Sequence, residues 1–175
     1  METVTQKDIE HAISKASREV FETMLNLPLE IEPSVMQNVI EPETFHGVVA
    51  LVGVAGSWTG AGHMSCTPEF AQKLAGALLM AEYQSVNEEV LDAVAEVANM
   101  IIGNVKTIFE ERLGPLGLTV PTVIYGRNYH TRSAGVKDWV LVRLRSGGYS
   151  MDINFCLMPA RAPHYASHRP ELQSV

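Results

Sequence analysis

Cysteine is nearly absent from this chain. Only Cys66 and Cys156 occur, far apart and in no paired motif. A disulfide-stapled secreted scaffold is thereby disfavoured, and buried free thiols in a reducing cytosol are expected instead. Aromatic residues are scarce as well, at 7% of 175 residues, so the core must be mostly aliphatic. Basic residues are outnumbered, 13 Lys and Arg against 20 Asp and Glu, for a net charge of −7. Nucleic acid is a poor partner for that balance, because phosphate contacts need clustered cations; proteins or small molecules suit it better. The longest apolar run, Val48 to Ala55, falls far short of the roughly 20 residues that span a bilayer. The opening METVTQKDIEHAIS lacks a basic stretch followed by an apolar one. No signal peptide and no membrane association are expected, which points to the cytoplasm.

What the chain does have is a patterned order of elements. A first helix is expected over 7–25, with Thr5 and Asp8 as its capping pair and Pro28 beyond its end. A short strand over 29–31 follows, then a loop through Pro33 and Pro42. Two strands over 47–55 and 61–67 form a hairpin around Gly56–Gly60. Thr67-Pro68-Glu69 starts a second helix running to about Met80. Ser85-x-x-Glu88 opens a long third helix, closed by Gly114-Pro115. Strands are expected over 118–125, 139–145 and 149–157, the last two joined by Gly147-Gly148. The order helix, strand, hairpin (7–25, 29–31, 47–67) thus returns as 87–112, 118–125 and 139–157. The fold class is α+β: two pseudo-repeated units, a mainly antiparallel sheet, and long helices packed on it. One domain is expected over 1–160, with a loose tail over 161–175.

The third helix carries the chemistry. Asp92, Glu96, Asn99 and Gly103 are spaced four, three and four, so they stack on one face. Val90, Val94, Val97, Ala98, Ile101, Val105, Ile108 and Phe109 claim the opposite face. A carboxylate and a carboxamide one turn apart therefore point away from the core. Glu96 alone would read as an ordinary solvated carboxylate. Asn99 is different, because Asn competes with the backbone and is poor filler inside a helix. Gly103 costs about 0.5–1 kcal/mol relative to Ala in a helix interior, which suggests space kept for an approaching molecule. Lys106 lies beside the stripe and could touch a partner's acids.

Other chemistries are missing. Gly53, Gly56, Gly60 and Gly62 lack the Gly-Lys-Ser/Thr of a phosphate loop. The six histidines show no helical pair with a nearby acid, and His164 and His168 sit among prolines, so no metal site is expected. No serine occupies a Gly-x-Ser-x-Gly elbow.

The string Glu96-Val-Ala-Asn99-Met-Ile-Ile-Gly103-Asn104, preceded by Asp92, resembles the signature helix of the CheC/CheX chemotaxis phosphatases. The first helix, with Glu19-Val-Phe-Glu-Thr-Met-Leu, and the hairpin Gly53-Val-Ala-Gly-Ser-Trp-Thr-Gly are similar to that family too. The first helix offers Glu19-x-x-Glu22 where the third has Glu96-x-x-Asn99, and this single copy is closer to the CheX type. Pro121 corresponds to a downstream proline of the family pattern. The resemblance implies hydrolysis of the phospho-aspartate of a CheY-like response regulator. Asn99 would then align the attacking water, and Glu96 would dock on a lysine of the regulator. Asp92, Gly103 and Lys106 would frame the contact. No cofactor is implied in this chain, since the Mg2+ would belong to the regulator. The resemblance also implies a homodimer, with strand edges at 118–125 or 149–157 free to pair. The alternative is a non-catalytic module that binds a response regulator or resembles flagellar switch proteins.

Overall fold

A computed structural model describes residues 3–37, 45–129 and 138–160. Among these, three α-helices and eight strands form one antiparallel sheet with the helices packed on it. Helix α1 (Gln6–Val20) begins with the expected capping box. The Asp8 amide donates to the Thr5 hydroxyl, and the Thr5 amide donates to the Asp8 carboxylate. The helix widens into a π-turn over Phe21–Leu25 and ends at Asn26 in the left-handed region, φ 50°. Helix α2 (Pro68–Leu79) is capped by Thr67, with proline in its first turn.

Helix α3 (Glu88–Leu113) starts two residues later than Ser85 would set it. Asn87 is the cap, its side chain accepting from the Val90 amide at 3.0 Å. Two further sequence expectations need correcting. The loop after Ile31 contains a strand, β2 (Val35–Gln37), besides the expected β1 (Glu30–Ile31). The single strand expected over 118–125 is two, β5 (Leu116–Leu118) and β6 (Thr122–Tyr129). The break falls at Pro121, which offers the sheet no N–H. The expected tail and His130, His164 and His168 lie outside the described residues.

The repeat is visible in the strand pairing. Hairpin β3–β4 (Phe45–Gly56, Trp58–Cys66) belongs to the first unit and hairpin β7–β8 (Trp139–Ser146, Tyr149–Pro159) to the second. Strands β5 and β6 of the second unit pair with β3, and β1 and β2 of the first pair with β7. In both units the shorter strand takes the end of its partner nearest the hairpin turn. One backbone bond bridges each pair of short strands: Thr119 donates to the Gly53 carbonyl and Glu32 to the Arg143 carbonyl. Strands β4 and β8 pair along their whole length, from Trp58↔Pro159 to Cys66↔Met151, and join the halves.

One sheet face, with Val48, Ala50, Val52, Val142, Leu144, Ile153 and Phe155, shares a core with the apolar faces of the helices. Helix α3 sits close to the sheet because Gly62 of β4 has no side chain. A Cβ there would overlap Ile102. On the other face Val49, His63, Trp139 and Cys156 are also buried. The His63 ring lies 4.5 Å from that of Trp139, and burial lowers its pKa to about 4. Both cysteines are free and buried, as expected. Burial pushes the Cys66 thiol up to about 12 and that of Cys156 up to about 11. No helix among the described residues is long and apolar enough to cross a membrane.

Candidate functional site on helix α3

Helix α3 is held on both flanks, which leaves one strip free. Val90, Ala93, Val94, Val97, Ala98, Ile101, Ile102, Val105 and Phe109 are buried. Helix α1 runs antiparallel beside it, with Arg112 3.5 Å from Asp8 and the Asn104 amide 3.5 Å from Glu19. On the remaining strip Asp92 and Glu96 are exposed, while Asn99 and Gly103 are half-buried. The stripe thus exists, but its carboxamide is less protruding than the spacing suggested. No ion pair holds Asp92 or Glu96 among the described residues, and no hydrogen bond engages the Asn99 side chain. A carboxylate and a carboxamide one turn apart therefore keep their full bonding capacity for an outside molecule.

Gly103 and Lys106 sit differently from the sequence reading. A Cβ on Gly103 would lie 3.7 Å from Leu118 Cδ1, so β5 overhangs this end of the stripe. Lys106 Nζ is 2.6 Å from Glu110 Oε2, and Glu110 Oε1 accepts from the Leu116 amide at 2.8 Å. Lys106 is thus tied into the joint between α3 and β5. The Lys106 bond, followed by the Leu116 amide, holds the Glu110 carboxyl below the usual range. Ser57 donates to the Leu113 carbonyl at 2.8 Å and secures the same joint.

The two units place Glu19 and Glu22 where the site helix has Glu96 and Asn99. Ile13, Ala16, Ser17, Val20 and Phe21 of the first unit are buried at the same spacing as Val90, Ala93, Val94, Val97 and Ala98. Glu19 and Glu22 are both exposed. Only the second unit combines a carboxylate with a carboxamide. Among the described residues, no three His, Cys, Asp or Glu side chains gather as a metal-binding group.

The long glutamate–asparagine helix over a pseudo-twofold antiparallel sheet defines a fold class shared with solved chemotaxis proteins. CheX from Desulfovibrio desulfuricans matches with a TM-score of 0.75 at 23% identity, over 86% of this chain and 99% of that one. CheX of Borrelia burgdorferi, solved as a complex with CheY, BeF3 and Mg2+, matches with a TM-score of 0.71 at 24% identity, over 84% and 96%. The particular family follows from sequence. Residues 48–143 match the family model described as chemotaxis phosphatase CheX. The CheY-P phosphatase CheX of Thermotoga maritima is 32% identical over 120 residues, 67% of this chain and 77% of that protein. The chain belongs to the CheX family.

Proposed function

We propose that this protein hydrolyses the phospho-aspartate of a CheY-like response regulator, with Asn99 and Glu96 as its working pair. The carrying observation is the Asn99 carboxamide, without a hydrogen bond among the described residues and one turn from a Glu96 that no described residue pairs. An acyl phosphate is already activated, so positioning a water is most of the work required. The Asn99 side-chain oxygen accepts a hydrogen bond from that water and its nitrogen donates to a phosphoryl oxygen. The water oxygen attacks phosphorus as the bond from phosphorus to the aspartyl oxygen breaks. Inorganic phosphate leaves and the regulator's carboxylate is restored. Glu96 pairs with a lysine of the regulator and sets the register of docking. Asp92 lies one turn further out on the same strip and adds a second acidic contact. The Mg2+ sits in the regulator's acidic pocket, in line with the composition of the Borrelia burgdorferi complex. The reaction places the protein in the cytoplasm beside its substrate.

A homodimer belongs to the same proposal, with one correction. Strand β8 pairs on both sides, with β4 and β7, so 149–157 is no free edge. Among the described residues strand β6 pairs only with β3, and its other edge is the one assigned to a second copy. Sedimentation across a concentration series tests this, and a monomer throughout rejects it. The activity itself is tested by mixing the protein with a CheY-like regulator phosphorylated by a small phosphodonor. Accelerated loss of the phosphoryl group is expected. Unchanged decay with tight binding would instead indicate a non-catalytic binding module.

A further inference from the structure

At Gly103 the strip of α3 that carries Glu96 and Asn99 is bounded by strand β5. Leu118 of β5 overhangs Gly103, one turn beyond Asn99. The segment that follows is pinned to the sheet twice, since the Thr119 amide donates to the Gly53 carbonyl at 3.0 Å and the Thr119 hydroxyl accepts from the Gly53 amide at 2.8 Å. That seat exists because residue 53 is glycine: a Cβ there would lie 2.9 Å from the Thr119 methyl. Pro121 confines the residue before it to extended conformations. Between these two restraints stands Val120, an apolar β-branched side chain that is 86% exposed. A lone exposed apolar residue needs no explanation on an ordinary surface. This one is held rigid from both sides, two residues from the side chain that bounds the site, so little ordering entropy would be lost when a partner covers it.

Resting on the proposed function, we infer that Leu118–Pro121 is a specificity wall, with Val120 packing on an apolar patch of the response regulator beside its phosphorylation pocket. The polar pair Glu96 and Asn99 meets the pocket, and Val120 selects among regulators by the surface next to it. The space over Gly103 is the floor of the notch between the two. This reading makes Val120 a docking residue that acts on affinity and not on the chemical step.

The test is Val120→Asp, measured for the concentration dependence of regulator dephosphorylation and for binding of beryllofluoride-loaded regulator. KM and Kd are expected to rise about tenfold, as burying a valine side chain would imply. kcat at saturation is expected to stay within about twofold, and Val120→Ile should restore affinity. Val35→Asp, at a half-exposed position on the opposite edge of the sheet, should leave both constants unchanged. Unaltered KM and Kd in Val120→Asp overturn the inference, as does a loss confined to kcat. If Asn99→Ala keeps full activity, the proposed function fails. The binding measurement on Val120→Asp still decides the wall on its own.

Discussion

Gly103 of α3 and Leu118 of β5 face one another across a gap that one methyl group would fill in ordinary contact: a Cβ added at 103 would lie 3.7 Å from Leu118 Cδ1. The packing of this chain therefore does not require a glycine at 103. A helix interior that keeps one forgoes about 0.5–1 kcal/mol.

Gly103→Ala is accordingly expected to fold and to gain about 0.5–1 kcal/mol of stability. Its regulator turnover should fall through a raised KM if the notch admits a partner. Denaturant midpoints and initial rates check the two halves separately. A more stable variant with wild-type kinetics would show that nothing from outside enters the notch.

Glu110 gives a second prediction. Its carboxylate gathers Lys106 and the Leu116 amide, and these bonds hold its pKa below the usual range. A depressed carboxylate stabilises the fold above its unfolded pKa and loses that contribution as pH falls through the folded value. Glu110→Gln should therefore be less stable than wild type near neutrality, with the difference shrinking under acid. Thermal midpoints from pH 7 downward measure this, and a gap that holds constant to pH 3 contradicts it.

His63 should weaken the fold under acid as well, here because burial disfavours its charged form. Buried against Trp139, it has a pKa lowered from 6.5 to about 4. Between those values the unfolded state binds more protons, so stability falls as pH drops through the window. The total is about 3 kcal/mol. His63→Leu should flatten that part of the profile in urea titrations at pH 7 and pH 4.5. Parallel losses in both proteins would show that another group is responsible.

Much of this was legible in the sequence, and what was not has physical causes. Helix α3 was readable because its apolar positions repeat every three to four residues and Gly114 ends it. The repeat was readable from element order alone, since pairing of β1 with β7 and β5 with β3 follows from two equivalent units. The starting residue of α3 was missed because Ser85 and Asn87 are both competent caps, and local sequence does not choose between them. Strand β2 escaped notice because it has only three residues, just after Pro33 and Ser34. At the site, Asp92, Glu96 and Asn99 fell on the expected strip. The overhang of Leu118 on Gly103 and the capture of Lys106 by Glu110 beneath Leu116 did not show. Both depend on where β5 turns back, a contact that helical periodicity cannot encode.

The decisive measurement is the rate at which Asn99→Ala dephosphorylates a saturating phosphorylated regulator, with Glu96→Ala run alongside. Asn99→Ala should lose nearly all of kcat while its melting curve and its binding of beryllofluoride-loaded regulator stay close to wild type. Glu96→Ala should instead weaken binding by about 1–3 kcal/mol. An Asn99→Ala protein that folds, binds and still turns over at the wild-type rate would contradict the mechanism.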